Sequence, residues 1–287
     1  MADIKIVVDT SADMPEELRE KYDIGLISFM SVFGEESYVA GVELSNEEFY
    51  KKLTESDKIP TTAQTPFGDM YDSLLELAKA HKTVIYFTIS SKASGQFQTA
   101  NLVREEIMEE YPEADIRLVD TKTFSLYIAS AAVLAAELVK EGKNADEIIE
   151  KCKQHMDSWK CFLLVDTLKY LEKGGRINKA TAIVGTMLDI KPILTVEDGL
   201  VGSMDKLRGK KKLIDKLIEK IEEDSDFDSE NPKFMVVQSD DEKGQSVLEK
   251  LKEKFGDDCI DMYSEFGPIV GTHVGPGAFG IIAKTKS

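Results

Sequence analysis

The sequence predicts an α/β protein of two α/β domains, 1–160 and 161–287, with a mostly parallel sheet in the first. Three observations lead there. Short apolar runs repeatedly end in polar turns and pass into helical patterns, as βα units do. The run TVIYFTI at 83–89 is β-branched and aromatic with almost no charge, the pattern of a strand buried on both faces of a parallel sheet. At 287 residues the chain is long enough for one large domain or two ordinary ones, and two is the expectation.

The elements follow in order. IKIVV at 4–8 is an opening strand that ends in Asp9-Thr10-Ser11-Ala12-Asp13. Asp13 with Glu16 three residues on has the form of a capping box, and Pro15 suits a first helical turn. A second strand is expected at 24–33, folded back by Gly34 into a hairpin strand at 37–40. Ser45 with Glu48 is a capping box for a short helix. IPTTAQTP at 59–66 has two prolines and reads as an irregular loop, with Thr65 placed to cap a helix that has Pro66 at its first position. Thr61 and Thr62 are left without an obvious local duty. After 83–89 comes the serine-rich turn SSKASG and a helix. Such a turn either caps that helix with Ser91 or Ser94, or offers its unpaired N–H groups to an anion.

A strand at 116–119, an alanine-rich helix at 126–140 and an amphipathic helix at 146–159 complete the first half, with Trp159 as a packing anchor. The second half opens with a strand at 161–165 and a helix ended by Gly174-Gly175. Asn178 is placed to cap a further helix at 179–188. A strand at 190–196 turns at 197–199, and 204–212 is a dense basic cluster read as a solvated helix start. A strand at 233–238, a helix at 242–255, a strand at 259–263 and a glycine-rich bend at 265–280 follow.

Hydrophobic content of 42% and charged content of 31% mark a globular chain. The net charge of −17 argues against nucleic acid or an anionic membrane as partner. No run of 18 apolar residues exists, and the chain opens straight into a strand. Three widely spaced cysteines without zinc spacing suit a reducing compartment, so a cytoplasmic protein without metal or cofactor is expected. Gly275-Pro276-Gly277-Ala278-Phe279-Gly280 matches G-x-G-x-x-G, but too few residues follow for the helix and ribose-binding acid of a dinucleotide site. Ser94, His273 and several aspartates allow a hydrolase or phosphotransferase on paper, although Ser94 is not in a nucleophile elbow.

Five stretches together resemble the DegV family of bacterial fatty-acid-binding proteins: VVDTSAD, PTTAQTP, ISSKASGQFQTA, LKYLEKGGRINKATAIVGTMLDIKPIL and GPIVGTHVGPGAFG. The resemblance implies a long-chain fatty acid such as palmitate lying between two α/β domains, in a protein of lipid transport that is not itself an enzyme. It implies that the carboxylate is held by Thr62 and Ser94, with the Gly95 N–H nearby. Ala63 stands where the family's threonine loop usually has a serine. It further implies a role as the acyl-carrying subunit of a fatty acid kinase, whose separate subunit supplies ATP. His273, set among glycines, is expected beside the carboxylate. Arg176 and the cluster around Arg208 are expected to meet a protein partner, as a basic patch on an acidic chain can.

Overall fold

The computed structural model describes residues 3–178, 190–209 and 212–286. The chain opens with β1 (Ile4–Asp9), a 3-10 turn (Thr10–Ala12), α1 (Glu16–Lys21) and β2 (Gly25–Ile27). Next come β3 (Met30–Phe33), β4 (Glu36–Val39), α2 (Asn46–Glu55), β5 (Thr61–Ala63) and α3 (Phe67–Ala80). The first half ends with β6 (Thr83–Thr88), α4 (Gln96–Glu110), β7 (Ile116–Asp120), α5 (Leu126–Lys140) and α6 (Ala145–Asp157). The second half holds β8 (Trp159–Leu164), α7 (Lys169–Gly174), β9 (Ile190–Glu197), β10 (Leu200–Arg208) and α8 (Leu213–Glu223). It closes with β11 (Phe234–Gln238), α9 (Asp241–Phe255), β12 (Ile260–Glu265), α10 (Pro268–Val274) and β13 (Phe279–Lys284).

Alternation along the strands sets the layers. The first sheet, β2-β1-β6-β7, is parallel throughout. Val7, Val84 and Tyr86 point to one face, where α3 and α4 supply Met70, Leu74, Val103 and Ile107. Ile6, Val8, Ile85 and Phe87 point to the other, against Ile128, Ala132 and Ala135 of α5 and Ile148 and Cys152 of α6. All six residues of β6 are therefore buried, as its uncharged sequence requires. The second sheet, β10-β9-β8-β13-β11-β12, is antiparallel except for β11 with β12. One face packs on α8 and α9. The opposite face receives Leu126, Tyr127 and Ala129 from the start of α5 and Val270 and Val274 from α10. Helix α5 thus serves both cores, and its alanines let it lie close to each. Trp159 is buried in the second core with its ring edge against His155, at 5.9 Å between centroids.

Several expectations are corrected. Asp13 does not cap α1, whose N-cap is Pro15 without a side-chain bond. Asp13 is buried in the left-handed conformation, where its carboxyl accepts from Ser125 Oγ at 2.5 Å and Gly267 N at 2.9 Å. The 24–33 strand is two strands in different sheets, broken where Ser28 O accepts from Thr65 Oγ1 and Phe29 N donates to Thr10 Oγ1. Part of the 59–66 loop is regular: β5 pairs antiparallel with β3 between the two prolines. Thr65 is spent on Ser28 and Gln96, so Pro66 is the N-cap of α3. Helix α6 stops at Asp157, and Trp159 already begins β8. Lys206 and Arg208 lie on strand β10, not on a helix start. The glycine-rich bend contains helix α10, with Pro268 in its first turn. The helix expected over 179–188 lies outside the described residues.

Asp13 joins the first turn to the start of α5 and to α10. Burial raises its pKa to about 8, with Asp9 and Glu265 adding repulsion. Its neighbour Asp9, also buried, is raised to about 6. A carboxyl raised in the folded state contributes its full stability below about pH 4 and loses it as pH climbs through the folded value. Asp13→Asn, which keeps a donor and an acceptor without a charge, is expected to gain melting temperature relative to wild type as pH rises from 5 to 8. The limiting slope is about 1.4 kcal/mol per pH unit. Parallel melting curves for the two proteins over that range contradict this burial of a protonated Asp13.

Candidate binding site

The carboxyl ends of β1, β6 and β7 fix the course of the serine loop. Asp9 Oδ2 accepts from Ile89 N at 3.0 Å. Asp120 accepts from Ser91 N at 3.0 Å and from Ser91 Oγ at 2.6 Å. Ser91 is thereby committed to the loop itself. Among the described residues, Ser94 Oγ accepts only a long bond, 3.3 Å, from Gln96 N, and its own proton is not spent on another of them. Helix α4 then begins after Gly95 with no acidic residue in its first turn, so nothing in that turn offsets the positive end of its dipole.

The threonine segment lies beside this loop. Gln64 Nε2 donates to Thr99 Oγ1 at 2.7 Å, and Thr65 N donates to Gln96 Oε1 at 3.0 Å. On β5, Thr62 pairs in register with Ser31 and places its hydroxyl 3.3 Å from His273 Nε2. His273 comes from the last turn of α10 and packs on Gly174, where a Cβ would fall well inside contact distance of Nδ1. Burial, with the Arg176 guanidinium nearby, holds the imidazole down at about 4. The ring is therefore neutral at pH 7 and offers one N–H. Nδ1 is buried without a hydrogen-bond partner among the described residues.

These elements enclose a cavity of about 240 Å³. Thr62, Gln64, Ser94, Gly95, Arg176 and His273 supply its polar lining; Phe29, Ile89, Phe124, Leu171, Leu200 and Ile269 supply much of the apolar lining. The four residues expected at a carboxylate thus share one cavity wall. Arg176, expected on a partner-facing surface, lies in the same wall, because its Nε donates to Ala93 O at 2.9 Å and its NH1 to Gly174 O. Arg208 does not join them. It is exposed at the end of β10, and its carbonyl accepts from Lys216 Nζ at 2.6 Å. Gln64 and the apolar walls from β10 and α10 are not visible in the sequence reading. A signal for α10 is present, since Pro268 at the start and Gly275 at the end mark a helix. A hydrolytic triad is not assembled among the described residues: His273 meets Thr62 rather than Ser94, and its Nδ1 has no acid. No group of residues suited to a metal ion occurs among the described residues either.

Helices on both faces of each sheet, with a cavity of apolar walls and a few convergent polar groups, form the arrangement that small-molecule-binding proteins of mixed α/β class have. The chain belongs to the DegV family: the family model described as "Uncharacterised protein, DegV family" matches residues 3–286. Protein DegV of Bacillus subtilis is 31% identical over 280 residues, covering 97% of this chain and 98% of that one. A DegV domain-containing protein of Clostridium acetobutylicum is 34% identical over 284 residues, covering 99% and 98%. Among solved structures, DegV of Bacillus subtilis, described as a fatty acid binding protein, superposes with a TM-score of 0.85 at 30% identity and full coverage of both chains. A stearic acid-binding protein from Eubacterium ventriosum superposes with a TM-score of 0.88 at 25% identity, covering 100% of this chain and 99% of that one. Of these relatives, the two solved structures are described as a fatty acid binding protein and a stearic acid-binding protein.

Gly174→Ala tests the packing of His273. The added methyl must push a buried ring away from Thr62, an overpacking cost of about 1–3 kcal/mol. Chemical denaturation should show that loss, and the His273 ring resonances, titrating near pH 4 in wild type, should move toward the ordinary value. Unchanged stability together with an unchanged titration contradicts the arrangement.

Proposed function

We propose that this chain binds a long-chain fatty acid such as palmitate between two domains, 1–160 and 161–287, and presents its carboxylate to a separate fatty acid kinase subunit. The observation that carries this reading is the cavity itself, lined by Thr62, Ser94 and Gly95, the last of these the N-cap of α4, together with apolar walls. Its support from outside is the fatty acid binding described for structural relatives.

The energetics divide between tail and head. Burying about 14 methylenes at roughly 0.8 kcal/mol each gives on the order of 11 kcal/mol before ordering costs. Hydrogen bonds to a charged group contribute about 1.5–3 kcal/mol each. The tail therefore retains the ligand, and the hydroxyls orient it. Thr62 and Ser94 donate to the carboxylate, with the Gly95 N–H and the neutral His273 ring beside them. Neutral donors leave a carboxylate oxygen more nucleophilic than a bidentate arginine clamp does, which suits a group awaiting phosphoryl transfer. Arg208, exposed at the end of β10, is the cation we assign to the partner surface. No helix among the described residues is long and apolar enough to cross a membrane.

Ser94→Ala and Thr62→Ala are each expected to lower palmitate affinity by roughly one to two powers of ten, at 1.4 kcal/mol per tenfold, while still carrying lipid. Kinase-dependent acyl phosphate should fall much further in both. Calorimetric titration of delipidated protein measures the first quantity and product formation the second. A Ser94→Ala protein that binds and is phosphorylated like wild type places the carboxylate elsewhere.

A further inference from the structure

The turn between β9 and β10 separates the inner cavity from a second space. Gly199 lines both the cavity and an outer groove of about 650 Å³. Tyr127, Met156, Trp159 and Val196 give that groove an apolar floor, and Lys122 and Lys153 stand in its wall with Asp120, Asp157 and Asp198. The apolar floor gives an acyl chain somewhere to lie between solvent and cavity, and the mixed charges of the wall do not select for its anionic end.

The partition is thin and lightly held. Asp198 and Gly199 both have positive φ, 50° and 80°, which makes a tight two-residue hairpin. Gly199 seats directly on Ser90, where a Cβ would collide with the Ser90 hydroxyl, so the turn touches the first half at the foot of the serine loop. Beside it Lys92 Nζ donates to Asp198 Oδ2. Those two side chains are 52% and 76% exposed, so water and salt compete for the pair and it contributes little to holding the turn shut. Next along β10, Leu200 and Val201 line the cavity, so lifting the turn exposes apolar wall to the groove.

We propose that the β9–β10 turn is the gate through which the fatty acid passes between outer groove and inner cavity, latched by Lys92 and Asp198. This rests on the fatty acid reading above. To test it, delipidated protein is loaded with deuterated palmitate, chased with excess unlabelled palmitate, and followed by native mass spectrometry. Lys92→Glu, which sets two carboxylates together on the surface, is expected to speed exchange by roughly two- to fivefold with melting temperature unchanged. The swapped pair Lys92→Glu/Asp198→Lys is expected to return exchange to the wild-type rate. Raised salt should speed exchange in wild type and not in Lys92→Ala. Exchange that ignores Lys92→Glu, or that stays fast in the swapped pair, overturns the gate and leaves fatty acid binding standing. A wild type that takes up no palmitate overturns both.

Discussion

The seam between the two sheets depends on one buried carboxyl. Asp13 receives the Ser125 hydroxyl at the start of α5 and the Gly267 N–H at the start of α10, and its own carbonyl accepts from Ser264 Oγ at 2.6 Å. Around it, Asn46 Nδ2 donates to Glu265 Oε2 at 3.0 Å and Tyr50 OH donates to Phe266 O at 2.8 Å. Burial disfavours a charge in that setting and Asp9 and Glu265 add repulsion, so the group is held in its neutral form near pH 7. This network fixes where α10 begins, and α10 carries His273 to Thr62. The head of the cavity is thereby tied to a polar knot whose parts lie more than 100 residues apart in the chain.

The cavity is assembled from both halves. The first half contributes a serine loop whose path is set by Asp9 and Asp120, and a threonine strand flanked by prolines. The second contributes Arg176, His273 and the wall of β10 and α10. Arg176 bonds the Ala93 carbonyl, so the guanidinium braces the loop that presents Ser94. Burial keeps the imidazole neutral, and the hydroxyls are neutral by nature. In the proposed complex an anion would meet these N–H and O–H donors, with the Arg176 guanidinium, already bonded to two carbonyls, beside them.

Much of the scaffold is legible in the sequence because it is local. Strand β6 announces itself by six buried residues without charge, α2 by a capping box that forms both of its bonds, and α7 by a left-handed Gly175. The parts that escape are decided by distant partners. Asp13 and Glu16 have the spacing of a cap, yet an interface carboxyl is what Ser125 and Gly267 require at that place. The 59–66 segment looks irregular because its prolines dominate, while β3 is available to pair three of the five residues between them. Arg176 reads as part of a basic surface until the fold brings Ala93 to it. At the site, Thr62, Ser94 and Gly95 come from the family resemblance and His273 from its glycine-rich surroundings, whereas Gln64 and the apolar walls appear only once the two halves are docked.

On the proposed function, the cavity holds an acyl chain retained by its tail. The most direct measurement is denaturing organic extraction of freshly purified protein, followed by mass spectrometry of the extract against total protein. The account predicts close to one equivalent of unmodified long-chain fatty acid per chain, with a loss of melting temperature on delipidation that added palmitate restores. An extract without fatty acid, from a protein whose melting temperature does not respond to palmitate, would contradict it.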